Sequence, residues 1–119
     1  MKFYSQYGQD KWVYENFFKN KKNGVFLEIG ADDGVDKSNT KFFEEYLDWT
    51  GVCVEPSPKR FKLLLENRTC ICEEVAVSDH TGKIDIEWNQ ITWESNIDLL
   101  DLGTITNIFG YRNVSQSSA

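Results

Sequence analysis

Acidic residues and glycines are interleaved in one short segment of this sequence, and that combination limits what the segment could bind. The residues concerned are Glu28, Gly30, Asp32, Asp33 and Gly34. A turn that binds a dinucleotide pyrophosphate typically has the pattern G-x-G-x-x-G, whereas this turn has fewer glycines and two carboxylates that would repel phosphate. The segment therefore favours a neutral or cationic ligand, such as the aminoacyl sulfonium group of S-adenosylmethionine, and makes a nicotinamide dinucleotide the weaker alternative.

A second acid, Glu55, stands at the end of the next apolar run. The following residue, Pro56, prevents that strand from continuing, so the carboxylate is expected at the strand end. In α/β nucleotide sites the ligand lies beyond the carboxyl ends of parallel strands, and an acid about 20 residues after the glycine turn accepts hydrogen bonds from the ribose. Glu55 follows Glu28 at a longer interval but occupies the same kind of position, so we predict that it binds a ribose.

The predicted elements that position these acids alternate between helix and strand. Apolar runs bounded by turn residues predict three strands, at 25–29, 52–55 and 70–77. Apolar residues at helical spacing predict three helices, at 11–19, 38–47 and 58–67. Ser38 and Ser57 are the expected N-caps of the second and third helices. The first strand is expected to be covered on both faces. The alternation of apolar and polar residues at 84–88 predicts an antiparallel strand. This order predicts an α/β fold with a Rossmann-like, doubly wound and mostly parallel sheet.

The composition narrows the range of functions. The chain has 119 residues, 40% of them hydrophobic, which predicts a single domain. Its net charge of −6 argues against nucleic acid as a partner, because a nucleic-acid groove normally presents a basic stripe. Since the sequence has no stretch that could span a membrane and no signal-peptide pattern, we expect a soluble, cytoplasmic protein without a membrane partner. The thiols of Cys53, Cys70 and Cys72 are expected to be reduced, and no metal site is predicted.

Several blocks of the sequence, taken together, are similar to a known family. They are residues 5–10, 26–34, 38–40, 49–58, 67–68 and 75–79. In this order they resemble the FkbM-type methyltransferases, a branch of the class I S-adenosylmethionine-dependent methyltransferases, from about residue 4 to residue 88. The resemblance implies a three-layer fold that transfers a methyl group from S-adenosylmethionine to oxygen, on a small-molecule or glycan hydroxyl.

The resemblance also implies which residues bind the cofactor. The full set is Glu28, Gly30, Ala31, Asp32, Asp33, Gly34, Ser38, Asn39, Thr40, Glu55, Pro56, Ser78 and Asp79. Within it, the acid and glycines of the first turn would shape the pocket for the methionine end, and Glu55 would hold the ribose. Ser78 and Asp79 would lie near the adenine. Residues 38–40 would line the same cleft, with the alternative that Asn39 and Thr40 are ordinary residues of a first helical turn. At the position of Asp32 the family usually has asparagine.

The chain is shorter than a complete class I domain, in which the first strand lies in the middle of a longer sheet. We therefore expect residues 1–119 to form one incomplete domain that carries the cofactor-binding half, with a frayed polar tail at 113–119. Strand 25–29 would then lie at a sheet edge, which invites pairing. Residues 97–102 could fold beside it, a second copy of the chain could cover it, or the chain could be a fragment.

No catalytic residue is predicted. The acidic Asp-x-Glu-Gly segment of a later strand in the family has no counterpart in this sequence, and the only histidine, His80, is better interpreted as a surface turn residue than as a base. The alternative to a methyltransferase is therefore a non-catalytic binding or interaction domain of the same fold.

Overall fold

The structure is a computed structural model, and it describes residues 1–87, 93–105 and 107. Its helices are α1 (Gln9–Val13), which continues as a π-helical segment (Tyr14–Phe18), α2 (Lys41–Leu47) and α3 (Pro58–Asn67). Its strands are β1 (Val25–Ile29), β2 (Thr50–Val54), β3 (Ile71–Glu73), β4 (Ala76–Val77), β5 (Gly82–Glu87) and β6 (Trp93–Leu100). Within the described ranges no helix is long and apolar enough to cross a membrane.

The strands form two small sheets, and the first of them has the predicted parallel topology. β1, β2 and β3 lie in that order, with Leu27 opposite Val52 and Cys53 opposite Cys72. β6 lies between β4 and β5, parallel to β4 and antiparallel to β5. The α/β fold class is thus confirmed, and the antiparallel strand expected at 84–88 is present as β5, except that residue 88 lies outside the described residues.

The predicted third strand, 70–77, is divided in the structure. β3 pairs with β2 in the first sheet, whereas β4 pairs with β6 in the second. The residues between them are Glu74, which is exposed, and Val75, which is buried. The chain leaves the first sheet at Glu74, a polar residue within the mostly apolar run, so this one run supplies a strand to each sheet.

Among the described residues β1 lies at the edge of its sheet, as expected for strand 25–29, but the prediction that both of its faces are covered is wrong. Phe26 is buried, but Val25, Leu27 and Ile29 on the opposite face are 58%, 37% and 51% exposed. Residues 97–100 do not lie beside it, because they belong to β6. β2 is instead the central strand, with residues 51–54 all buried.

Helices pack on one face of this sheet through aromatic side chains. Phe42 of α2 lies 4.9 Å from the ring of Tyr14 and 5.3 Å from that of Phe43. Trp49, directly before β2, lies 4.9 Å from Phe43 and donates its indole N–H to the Lys21 carbonyl at 2.8 Å. The aromatic cluster fixes α2 below β1 and β2, and so places the start of α2 beneath the end of β1.

The helix starts follow different local rules. At α3 the Oγ of Ser57 accepts a hydrogen bond from the Arg60 N–H at 3.4 Å, and Pro58 is the first helical residue, as predicted. At α2 the Oγ of Ser38 accepts one from the Lys41 N–H at 3.0 Å, but the helix begins only at Lys41. Ser38 and Thr40 lie before the helix, with their hydroxyls bonded to Glu28 near the end of β1.

Candidate cofactor site

A tight turn follows β1 and folds against the end of β2. The N–H groups of Gly30 and Ala31 both donate to the Val54 carbonyl at 2.9 Å. Gly30, Asp32 and Gly34 have φ angles of 72°, 55° and 82°, in the left-handed region. A Cβ on Gly30 would meet nothing within 4 Å, so this side of the turn is open to an approaching ligand.

The other glycine of the turn faces the protein interior. A Cβ on Gly34 would lie 2.6 Å from Cγ of Arg68 and 2.7 Å from Cδ1 of Leu64. A side chain at this position would therefore push away the end of α3, in addition to being strained by the positive φ. Gly34 thus allows α3 to pack directly on the turn.

The backbone N–H groups of the turn are used inside the protein. Gly34 donates to the Ala31 carbonyl at 2.9 Å, and Val35 and Asp36 both donate to Oδ1 of Asp33 at 2.9 Å. The Asp32 N–H is bonded to Glu55. A phosphate-binding loop needs such groups free and pointing at the anion, so most of the donors that a pyrophosphate would require are already used in this turn.

Glu55 connects the two strand ends. Its Oε1 accepts the Asp32 N–H at 2.8 Å and its Oε2 accepts the Ser57 N–H at 2.9 Å. The carboxylate is held by backbone on both sides, and Pro56 keeps the intervening segment rigid. Glu55 is 7% exposed, and because each carboxylate oxygen has more than one lone pair, each has the capacity to accept one further hydrogen bond.

Glu28 lies on the inner side of the same turn and is buried. Its Oε1 accepts hydrogen bonds from the Ser38 hydroxyl at 2.9 Å, from the Thr40 N–H at 3.1 Å and from the Thr40 hydroxyl. Ser38 is 1% exposed. The structure thus brings Glu28, Ser38 and Thr40 together, with the protein donors concentrated on Oε1.

Arg68, directly after α3, completes this buried group. Its guanidinium donates to Oε2 of Glu44 at 2.8 Å, to the Gly34 carbonyl at 3.1 Å and to the Thr40 hydroxyl at 3.0 Å. Its Nη1 also lies 3.8 Å from Oε1 of Glu28. One cation therefore faces the buried carboxylate of Glu28, the partly buried carboxylate of Glu44 and the backbone of the glycine turn.

In the sequence, Arg68 directly follows the third predicted helix and belongs to the block 67–68 of the family resemblance, but this role was not predicted for it. The available signal was Glu28, in a strand predicted to be covered on both faces, because a buried carboxylate requires a cation or several donors. Burial raises the pKa of Glu44, while its hydrogen bond and ion pair with Arg68 act in the opposite direction. We call Glu28, Ser38, Thr40, Glu44 and Arg68 the inner network.

The remaining predicted residues take other positions. Asp32 points outward and lies 3.3 Å from Nε of Arg60, with both side chains about half exposed. Asp33 caps its own turn, and Asn39 is exposed and accepts a hydrogen bond from the Ser5 hydroxyl at 2.7 Å. Asn39 also lines a pocket of about 250 Å³ beside α1, together with Gln9, Asp10, Val13 and Phe43.

Ser78 and Asp79 lie at the end of β4, in the second sheet. The Ser78 N–H donates to the Leu100 carbonyl at 2.9 Å, and Oδ1 of Asp79 lies 2.6 Å from Nδ1 of His80. This hydrogen bond to His80 lowers the pKa of Asp79. In the described part of the chain, no hydrogen bond of Ser78 or Asp79 reaches the glycine turn. Their predicted proximity to an adenine therefore stays a prediction.

Taken together, a glycine turn after the first parallel strand and an acid after the second give the layout in which α/β nucleotide-binding folds bind their ligand beyond the carboxyl ends of the strands. The sequence profile of the family described as the methyltransferase FkbM domain matches residues 28–116, which is most of the chain. The chain therefore belongs to the FkbM methyltransferase domain family, and the resemblance is confirmed. Comparisons with curated proteins and with solved structures gave no match.

Proposed function

We propose that this chain binds S-adenosylmethionine at the glycine turn and acts as the cofactor-binding part of an FkbM-type methyltransferase. The proposal rests on the geometry of Glu55, whose carboxylate spans the ends of β1 and β2 through the N–H groups of Asp32 and Ser57. A carboxylate fixed at this position is suited to accept hydrogen bonds from both hydroxyls of a ribose.

The residues of the turn fit this cofactor better than a dinucleotide. The N–H groups that would hold a pyrophosphate are bonded internally, and Asp32 and Asp33 add negative charge. The methionine end of S-adenosylmethionine carries a sulfonium and an ammonium, which these carboxylates attract. The open side of Gly30 leaves room for that end of the ligand.

When bound, S-adenosylmethionine supplies an electrophilic methyl group. In the proposed site Glu55 orients the ribose, and the inner network holds the turn in place through the Gly34 carbonyl. Transfer to a hydroxyl requires the acceptor oxygen in line with the methyl group, and a base to take its proton. We propose a small-molecule or glycan hydroxyl as the acceptor, and no base is assigned among the described residues.

A non-catalytic interaction domain is the second candidate, and the exposed face of β1 favours it. Val25, Leu27 and Ile29 form an apolar row on an edge strand, which is a surface that another chain can cover. A second copy of this chain is the partner we propose for that function. The two candidates differ in whether the glycine turn retains a ligand.

Isothermal titration calorimetry of the full chain with S-adenosylmethionine, and with its demethylated product, tests the first candidate. Replacing Glu55 by Gln removes the charge that accepts the ribose hydroxyls. Since a hydrogen bond to a charged group contributes about 1.5–3 kcal/mol, the affinity should fall by roughly tenfold or more.

The matched control is Glu66→Gln, the same chemical change on an exposed part of α3. It should leave the affinity unchanged, and circular dichroism should show that both variants are folded. Equal affinities for the two variants, or no binding of either ligand at millimolar concentration, would contradict the proposal. A chain that binds neither ligand and sediments as a dimer would support the interaction domain instead.

A further inference from the structure

All of the chain's cysteines lie close together behind the inner network. Cys53 is in the central strand β2, Cys72 is its neighbour across the sheet in β3, and Cys70 immediately precedes β3. The Sγ atoms of Cys53 and Cys70 are 3.5 Å apart. Cys53 is fully buried, whereas Cys70 and Cys72 are partly exposed, and all of them are free thiols.

The geometry distinguishes one pair from the other combinations. A disulfide has sulfurs about 2.05 Å apart, so the Sγ atoms of Cys53 and Cys70 need to approach by about 1.5 Å. The Sγ of Cys72 is instead directed to the backbone carbonyl of Cys70, at 3.5 Å. Cys53 and Cys70 are therefore the pair that is positioned to bond.

The surroundings favour a thiolate on the more accessible of the two. Hydrogen bonding with Cys53, then with Cys72, and the nearby charge of Arg68 lower the pKa of the Cys70 thiol, against the effect of burial. The Cys53 thiol has a raised pKa, because it is hydrogen-bonded to Cys70 and because it is buried. The thiolate is the nucleophilic form of cysteine, so Cys70 is the sulfur that an oxidant would meet first.

Cys70 is also linked to the glycine turn. Its backbone N–H donates to Oε1 of Glu44 at 3.2 Å, and Oε2 of the same carboxylate accepts the hydrogen bond from Arg68. Arg68 in turn donates to the Gly34 carbonyl. A displacement of Cys70 toward Cys53 therefore changes the position of Glu44 and, through it, of the cation that holds the turn.

We propose that Cys53 and Cys70 form an intramolecular disulfide on oxidation by a peroxide, and that this bond weakens ligand binding at the glycine turn. The Cys70 thiolate attacks one oxygen of hydrogen peroxide, the O–O bond breaks, and a sulfenic acid forms with release of hydroxide, which takes up a proton to become water. The Cys53 sulfur then attacks the Cys70 sulfur, and the hydroxyl group leaves as a second water with the Cys53 proton. Two thiols are oxidised and one peroxide is reduced.

The first test counts thiols and does not depend on a cofactor. The full chain is treated with hydrogen peroxide, denatured, alkylated and analysed by peptide mass mapping. The number of alkylated cysteines should fall from three to one, with Cys72 still alkylated and Cys53 linked to Cys70. Retention of all thiols, a bond to Cys72, or a bond between two chains would overturn the proposal.

Two variants make the assignment specific. Cys72→Ser should still form the bond, and Cys70→Ser, at a partly exposed position, should not. Because Cys53 is fully buried, the less disruptive Cys53→Ala is the second variant that should abolish the bond.

The second test concerns the effect on the site, which rests on the proposed function. Calorimetry with S-adenosylmethionine should show at least fivefold weaker binding to the oxidised chain, and dithiothreitol should restore it. A disulfide without any change in affinity would overturn the coupling. If neither form binds the cofactor while the mapped disulfide is present, the proposed function fails and the disulfide stands.

Discussion

The two sides of the glycine turn hold their carboxylates in different ways. On the inner side, Glu28 and Glu44 are surrounded by side-chain hydroxyls and by Arg68. On the other side, Glu55 is as buried as Glu28, but its partners in the described part of the chain are the N–H groups of Asp32 and Ser57, and we call these three residues the outer bridge. In the sequence, the acids of both sides stand in or directly after predicted strands and helices. Among the described residues, however, a buried cation is present only on the inner side.

This difference suggests that the two sides have different functions. A buried charge that is matched by a cation and several donors stabilises one arrangement of the chain, and losing one partner is costly. A carboxylate held by backbone needs no other side chain and keeps lone pairs for a ligand. We therefore expect substitutions in the inner network to change stability first, and substitutions in the outer bridge to change ligand affinity first.

Arg68→Met should have the largest effect on stability. The variant keeps an apolar stem of similar length but leaves Glu28 and Glu44 buried without their cation. Breaking a buried ion pair on one side costs about 3–5 kcal/mol, so the free energy of unfolding in urea at pH 7 should fall by about that amount. Arg60→Met, at an exposed ion pair, is the matched control and should change stability by less than about 1 kcal/mol.

The loss of stability caused by Arg68→Met should depend on pH. Burial already raises the pKa of Glu44, and loss of Arg68 removes the contacts that oppose this rise. A carboxylate with a raised pKa in the folded state destabilises the protein once the pH exceeds its unfolded value. The difference in the free energy of unfolding between the variant and the parent should thus be larger at pH 7 than at pH 4.5. A gap that is equal at both pH values would show that lost packing, not charge, causes the effect.

Glu28→Gln should have the next largest effect. Glutamine preserves one carbonyl oxygen as an acceptor for Ser38 and Thr40 but removes the charge that faces Arg68. Since a hydrogen bond to a charged group contributes about 1.5–3 kcal/mol, a loss of unfolding free energy in that range is expected in a urea titration.

Comparison of this variant with Glu55→Gln separates the two sides of the turn. Glu28→Gln should lower stability more than it lowers the affinity for S-adenosylmethionine, and Glu55→Gln should do the reverse. If Glu28→Gln weakened binding as much as Glu55→Gln while leaving the urea midpoint unchanged, Glu28 would belong to the ligand side.

The first two strands of the first sheet and the start of α3 follow from local sequence, and so they could be predicted. The run at 25–29 has the residue types of a strand, and Ser57 with Pro58 specifies a helix start within a few residues. Glu55 was predicted at a strand end because Pro56 must stop the strand there. In each case the signal and the structure that it predicts lie within the same short segment.

Burial and long-range pairing were not predictable in the same way. β1 and β2 have similar apolar runs, yet one lies at the edge of the sheet and the other in its centre. The edge position of 25–29 was expected only from comparison with the longer sheet of the family, because it depends on which strands lie beside it. Arg68 meets Glu28, Gly34 and Thr40, all of which are far from it in sequence. A helix-end arginine carries no local mark of such partners, so only the three-dimensional arrangement identifies it.

Arg60→Gln should have the smallest effect on stability, and it tests the exposed ion pair between Arg60 and Asp32. Arg60 and Asp32 are 3.3 Å apart, but both side chains are about half exposed, so water and salt screen their attraction. Exposed pairs contribute about 0–1 kcal/mol, and the urea midpoint should barely move. The affinity for S-adenosylmethionine should stay the same or rise slightly, because Asp32 no longer shares its charge with Arg60 and attracts the cationic end of the ligand more strongly. A clear loss of affinity would instead place Arg60 in contact with the ligand, and the outer bridge would then include a cation as the inner network does.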